Sequence, residues 1–218
     1  MKKLIAAALA AIALAPLSQA VILDFLGTGD KLNVTITPSV GANAGNASAT
    51  VAGELFFKDT TNTFLGGATF IGYCLSPGDN LIDPMTVTQT TITGPVGWLV
   101  QTFGVNRTGI TIGSNTYNAN EDAAGFQLAI WKLMDGGLVI NSASANALTV
   151  MNHYLTVAGS NSDTAVRFNH AWSGQGPRSQ DIVTENFGGT SIPVPEPFTM
   201  AIGAAGLATA LARRRKKA

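Results

Sequence analysis

The chain contains a single cysteine, Cys74. One cysteine cannot form a disulfide within its own chain, which excludes an internal disulfide framework. Three roles remain for the thiol: a small buried apolar group, a partner in a bond to another molecule, or a group consumed by reaction inside the protein. Cys74 lies in the apolar segment Phe70–Leu75, which by itself favours a buried thiol.

Charge is scarce and unevenly distributed. Asp, Glu, Lys and Arg make up 12% of the residues, and the formal net charge is zero. Seven of the thirteen cations lie at the two ends, at positions 2–3 and 213–217. Residues 21–195 hold six cations against twelve acids, a net charge of −6. A central region this acidic, without a basic stripe, is predicted not to bind nucleic acid.

Motifs for common enzymatic chemistry are also missing. The chain has no phosphate-binding glycine loop, no Walker lysine and no cluster of zinc ligands, so we predict no cofactor and no enzymatic activity. His153 and His170 are the candidate bases for a hydrolase dyad with Cys74, but neither lies in a recognisable motif. The oxygen-rich positions lack EF-hand spacing, so no metal site is predicted. These positions are Asp79, Asp83, Asn118, Asn120, Glu121 and Asp122.

The first twenty residues have the three parts of a signal peptide. Lys2 and Lys3 precede an apolar run over residues 4–14, and Ser18-Gln19-Ala20 supplies small residues at the −3 and −1 positions. This order predicts cleavage after Ala20 by a signal peptidase. The rest of the chain is therefore expected to be exported.

The C-terminal stretch has three parts in a fixed order. Pro195-Glu196-Pro197 comes first, followed by the uncharged segment 198–212. A helix over that segment spans roughly 22 Å, shorter than the ~30 Å hydrocarbon core, and it lacks the polar stripe of a packed surface helix. It predicts a short transmembrane helix. Five cations then predict a cytoplasmic end. They are Arg213, Arg214, Arg215, Lys216 and Lys217.

This tripartite stretch resembles the PEP-CTERM sorting signal. The resemblance implies that an exosortase recognises the tail in the inner membrane and cleaves near the Pro-Glu-Pro motif. The protein then passes to the cell surface or to the exopolysaccharide matrix. The predicted organisation is a signal peptide (1–20), an exported β-rich domain (21–187), a linker (188–194) and a sorting signal (195–217).

The exported domain is predicted to be α+β and mainly β, an antiparallel sandwich or barrel with a helical insertion. Alternating or continuous apolar runs predict strands, and clusters of Gly, Asn, Asp and Pro separate them. The predicted strands are Val21–Leu26, Leu32–Thr37, Thr50–Phe57, Thr69–Leu75, Met85–Thr93, Trp98–Val105, Ala165–Phe168 and Asp181–Phe187. Gly27-Thr28-Gly29-Asp30 is predicted as a turn between the first two.

Two helices are predicted in the insertion. The first covers about 120–135, with Asn120 as N-cap and Asp135-Gly136-Gly137 as the stop. The second covers about 143–157. Gln127 shares the apolar face of the first helix with Ile130 and Trp131, so its carboxamide must find buried partners. Taken alone, this position predicts hydrogen bonds from Gln127 to backbone of the sheet.

Tyr73-Cys74-Leu75 and the segment Phe126–Trp131 together resemble the paired motifs of the thioester domains of bacterial surface adhesins. The resemblance implies an internal thioester between Cys74 and Gln127, which a surface amine, hydroxyl or exopolysaccharide opens to form a covalent attachment. The aromatic residues of the two motifs are the expected shield against water, namely Tyr73, Phe126 and Trp131. The alternative is a non-covalent structural or exopolysaccharide-associated protein in which Cys74 and Gln127 only pack.

Overall fold

The computed structural model describes residues 20–61, 66–105, 107–170 and 180–185, which form nine strands and three helices. The strands are β1 (Ala20–Thr37), β2 (Ser48–Asp59), β3 (Thr69–Cys74), β4 (Met85–Gly94), β5 (Ile110–Ile112), β6 (Asn115–Tyr117), β7 (Val139–Ser142), β8 (Asp163–His170) and β9 (Ile182–Thr184). The helices are α1 (Pro95–Phe103), α2 (Ala119–Met134) and α3 (Ala145–Ala158). The predicted signal peptide before Ala20, the linker and the sorting signal lie outside the described residues.

Seven strands form one antiparallel sheet in the order β2-β3-β9-β8-β4-β1-β7. β1 also pairs with β2, so six of the strands form a closed ring of hydrogen-bonded pairs. β7 pairs with β1 outside that ring. The hairpin of β5 and β6 is separate. The predicted mainly-β architecture with antiparallel pairing is confirmed. Local sequence patterns did not predict β5, β6 or β7, which are only three or four residues long.

The first two predicted strands are one strand, and the turn predicted between them is wrong. β1 pairs with β2 from Leu23 to Ile36, with register shifts at Phe25/Gly27 and Thr28/Lys31. Gly27 has φ of 140°, a conformation that glycine adopts readily. The Gly-rich segment therefore forms bulges within a continuous strand, because pairing with β2 persists on both sides of it.

The strand predicted over Trp98–Val105 is also wrong, because the chain forms α1 there. Pro95 occupies the first turn of that helix, where the missing N–H costs nothing. Val96, Leu99 and Val100 are buried at helical spacing. A continuous apolar run fits both the two-residue period of a strand and the 3.6-residue period of a helix. Pro95 is the local signal that favours the helix.

The two predicted helices are present as α2 and α3. The N-cap of α2 is Asn118 and not Asn120, because Asn118 and Glu121 form a capping box with two 3.0 Å hydrogen bonds. Asn120 instead accepts from the Lys31 backbone N–H. α2 ends before Asp135 as predicted, and α3 begins after the Ser144 cap.

α2 runs through the protein interior. Ten consecutive residues, from Asp122 to Trp131, are buried, so the middle of this helix has no exposed face. α2 packs on α3 and on the sheet strands β1 and β2. Gly125 permits the close approach to α3, since a Cβ there would lie 2.6 Å from Val150. This buried position places Gln127 against the end of β3.

Candidate functional site

Cys74 is the last residue of β3, and its side chain is buried. Across the sheet it lies opposite Ile182 of β9, so the chain just before β9 passes close to it. Burial raises the pKa of the Cys74 thiol well above its usual value. The thiol is therefore protonated at neutral pH, so any reaction at its sulfur must also remove the thiol proton.

Gln127 contacts Cys74 through the main chain. Its Oε1 accepts a hydrogen bond of 3.0 Å from the Cys74 N–H, and its Nε2 donates one of 2.8 Å to the Cys74 carbonyl. The Gln127 side chain is only 1% exposed. This bidentate contact satisfies two backbone groups at the end of β3, where an unpaired buried group would cost about 1–3 kcal/mol.

The Cys74 sulfur lies against a different carboxamide. The thiol donates to Oε1 of Gln180, a residue 106 positions away that the sequence analysis did not single out. Gln180 Nε2 donates 2.6 Å to the Asp79 carbonyl, and the Gln180 backbone N–H donates 3.0 Å to the Asn80 carbonyl. The structure brings Gln127 into contact with Cys74, and both of these hydrogen bonds of its carboxamide go to the Cys74 backbone, as the position of Gln127 taken alone predicted.

The local sequence carries little information about Gln180. It stands between a predicted loop, residues 172–179, and a predicted strand that begins at Asp181. A glutamine at a loop–strand junction is an ordinary surface position, and no short-range pattern indicates burial there. Only the pairing of β9 with β3 and β8 places Gln180 beside Cys74.

The three expected shield residues occupy two different places. Tyr73 and Phe126 are fully buried with their ring centroids 4.8 Å apart. Because successive side chains of a strand point to opposite faces, Tyr73 lies on the face away from the Cys74 thiol. Trp131, which is 1% exposed, lines the same cavity as Cys74 and Gln180. Of the three, Trp131 is therefore the one placed to exclude water from the sulfur.

Two cavities flank the segment Ser76–Asn80. One has a volume of about 340 Å³ and is lined by both Cys74 and Gln180. The other, of about 360 Å³, is lined by Leu75, Asp181 and His170 among others. Bonds from the Asn43 N–H to the Gly78 carbonyl and from the Ala42 N–H to Asp79 Oδ1 hold the segment between them.

A buried network of charged side chains lies beside Tyr73 and Phe126. Arg107 Nε is 3.3 Å from Asp122 Oδ2, and the backbone N–H of Arg107 donates a hydrogen bond of 2.7 Å to Glu54 Oε1. Tyr154 donates 2.7 Å to Asp122 Oδ1. The Arg107 guanidinium also stacks 4.5 Å from the Phe126 ring centroid. The network ties the start of α2 to β2 and α3.

The other candidate residues make packing or hydrogen-bonding contacts elsewhere in the fold. His153 packs on the Tyr154 ring, and the backbone N–H of His170 donates to Asp181 Oδ1. Asp79 and Asp83 accept from backbone N–H groups of Ala42 and Phe25. Within the described ranges, no group of three or more His, Cys, Asp or Glu could hold a metal ion.

Glu185 should make stability depend on pH. Burial raises its pKa from the ordinary 4.5 to about 7, although the charge of Arg107 lowers it. A carboxyl group with a raised folded-state pKa opposes folding when ionised, so its cost appears above pH 4.5 and is complete above pH 7. We expect Glu185→Gln to stabilise the protein above pH 7 by on the order of 1 kcal/mol, allowing for partial exposure, and to change nothing below pH 4.5. Urea unfolding at both pH values checks this, and an equal effect at both would contradict it.

In the part of the chain that the structure describes, no helix is long and apolar enough to cross a bilayer. The segments predicted for membrane insertion and sorting are not in that part. Comparison of the chain with protein-family models, with curated proteins and with solved structures gave no match.

Proposed function

We propose that this protein is an exported surface protein carrying an internal thioester between Cys74 and Gln180. The observation that carries the proposal is the contact between the buried Cys74 thiol and the Gln180 carboxamide. Cys74 remains the sulfur donor expected from the sequence, and Gln180 replaces Gln127 as the acyl donor. Gln127 is assigned a positioning role, since it holds the Cys74 backbone through two hydrogen bonds.

The thioester forms when the Cys74 sulfur replaces the side-chain nitrogen of Gln180. The Cys74 sulfur attacks Cδ of Gln180, a C–S bond forms, the C–N bond breaks, and Nε2 leaves as ammonia with the thiol proton. An amide is more stable than a thioester in water, so the fold must hold the reacting groups together and keep water away. Positioning of this kind supplies effective molarities of about 10⁵ M or more. Here Gln127 fixes one partner, and the carbonyls of Asp79 and Asn80 fix the other.

A thioester held in this way is a stored acyl donor. An amine or hydroxyl on another surface opens it, the acyl group of Gln180 passes to that acceptor, and Cys74 recovers its thiol. The protein is consumed in the reaction and acts as a covalent adhesin. The proposed chemistry uses no cofactor and is not enzymatic turnover.

Intact mass tests the thioester directly. The folded protein is expected to be lighter by one ammonia than its sequence requires, and Cys74 should resist alkylation until the chain is unfolded and the bond is opened. A Cys74→Ala variant should show its full sequence mass. A wild-type chain that has lost no ammonia would reject the thioester and leave the non-covalent structural role, for which the packing of Gln127 against Cys74 would then be sufficient.

The proposed route to the surface depends on the two ends of the chain. A signal peptidase removes residues 1–20, the helix 198–212 anchors the protein transiently in the inner membrane, and an exosortase cleaves near Pro195-Glu196-Pro197. The cations at 213–217 stay in the cytoplasm. The product lies at the cell surface or in the extracellular matrix with exopolysaccharide.

Replacing Pro195-Glu196-Pro197 by three alanines should stop release. In a bacterium that has an exosortase, we expect most of the variant to stay in the inner-membrane fraction, because the helix still inserts but cleavage is lost. Immunoblots of membrane and surface fractions measure this. A Gly189→Ala change in the linker is the matched control and should be released like the wild type. Equal release of both variants would reject the sorting role of the motif.

A further inference from the structure

The cavity of about 340 Å³ lies beside the proposed bond. Cys74 and Gln180 both line it, whereas neither is among the residues lining the second cavity. The cavity runs beside β2, past Thr50 and Val51, to the residues 77–81. Whatever group opens the thioester must therefore be accommodated by the chemistry of this lining.

The lining combines neutral hydrogen-bonding groups with apolar walls. The hydroxyl and carboxamide side chains can both donate and accept. They belong to Thr28, Asn43, Ser48, Thr50 and Asn80. The walls include two aromatic rings and two leucines, from Phe25, Trp131, Leu55 and Leu81.

Formal charge is nearly absent from this cavity. Asp79 is the one charged residue among its described lining residues, and its Oδ1 already accepts from the Ala42 N–H. No lysine or arginine is among them, so an anionic acceptor has no counter-charge there. A lysine side chain of a protein acceptor would meet one carboxylate that is already hydrogen-bonded. The lining fits best a neutral molecule with many hydroxyl groups and apolar C–H faces.

We propose that this cavity binds a neutral saccharide and that a sugar hydroxyl is the acceptor of the Gln180 acyl group. The proposal rests on the thioester for its covalent step and on the cavity alone for its binding step. In the covalent step the sugar oxygen bonds to Cδ of Gln180, the C–S bond breaks, and the hydroxyl proton passes to the Cys74 sulfur. The product is an ester on Gln180 and a free thiol.

Binding is tested without the thioester. The full-length chain with Cys74→Ala is titrated calorimetrically with three neutral trisaccharides: maltotriose, cellotriose and triacetylchitotriose. We expect saturable binding of at least one of them. Thr50→Val keeps the shape of a cavity residue but removes its hydroxyl, so it should weaken binding about three- to tenfold. Thr86→Val, on the exposed face of β4, is the matched control and should leave affinity unchanged. Failure of all three sugars to bind would overturn the proposal.

The covalent step is tested in the wild-type chain. The trisaccharide that binds should add its mass to the protein and make Cys74 open to alkylation, and Thr50→Val should slow this addition whereas Thr86→Val should not. If methylamine opens the bond but no sugar binds or couples, the saccharide proposal fails and the thioester is retained. If the wild type has lost no ammonia yet the Cys74→Ala chain binds a trisaccharide, the thioester fails and the binding site is retained.

Discussion

Methylamine added to the folded protein should label residue 180 and free the thiol of Cys74. Ordinary glutamine carboxamides do not react with dilute methylamine, whereas a thioester does, so the label marks the acyl donor. We expect residue 180 because the Cys74 thiol contacts the Gln180 carboxamide, whereas Gln127 binds only the Cys74 backbone. The effect is all or none at each position. Digestion of the labelled protein and tandem mass spectrometry of its peptides identify the modified residue.

A control variant and the position of the label decide how this experiment is interpreted. The Cys74→Ala variant should take up no methylamine, since it cannot form the bond, and it controls for nonspecific labelling. A label on residue 127 would contradict the assignment of Gln180 and restore the pairing expected from the sequence motifs. A wild-type chain that takes up no label and has lost no ammonia would contradict the thioester itself.

Asp122→Ala should destabilise the protein by about 3–5 kcal/mol. The substitution removes the carboxylate that pairs with the buried guanidinium of Arg107, and it removes the acceptor of the Tyr154 hydroxyl. Removing one partner of a buried ion pair costs this much because the remaining charge stays out of water. Urea unfolding followed by tryptophan fluorescence measures the change in the free energy of unfolding.

A double substitution separates the charge effect from the loss of packing. Arg107→Met combined with Asp122→Leu removes both charges and should be less destabilising than Asp122→Ala alone. Asp24→Ala on β1, which is only partly buried, should change the free energy of unfolding by less than about 0.5 kcal/mol. A cost below about 1 kcal/mol for Asp122→Ala would show that the network does not stabilise the start of α2.

Local sequence patterns predicted most helices and strands where the apolar residues followed a clear helical or strand spacing. The alternation around Val34 and Val87 predicted strands, and the helical spacing from Ala123 to Trp131 predicted α2. The pattern failed for residues 98–103, where a continuous apolar run fits a strand or a helix equally well. It failed again at Gly27–Asp30, because a bulge and a turn use the same residues, and only pairing with a partner strand distinguishes them.

The candidate site was predictable only in part. The lone Cys74 and the buried polar Gln127 were recognisable from their positions in apolar segments, and the structure places them in contact. Gln180 was not recognisable, because its burial depends on β9 entering between β3 and β8. Asp122 was recognisable only as one of several oxygen-bearing side chains, and its partner Arg107 comes from the loop before β5.

The sequence by itself singled out one thiol and one glutamine on an apolar helical face, and it predicted that the two ends of the chain direct export and sorting. These are properties of composition and short-range order. The tertiary structure decided which carboxamide meets the sulfur, because that depends on contacts between residues more than a hundred positions apart. The packing of α2 places the Gln127 carboxamide at the Cys74 backbone, and the pairing of β9 with β3 places the Gln180 carboxamide at the Cys74 side chain. No local pattern encodes that arrangement.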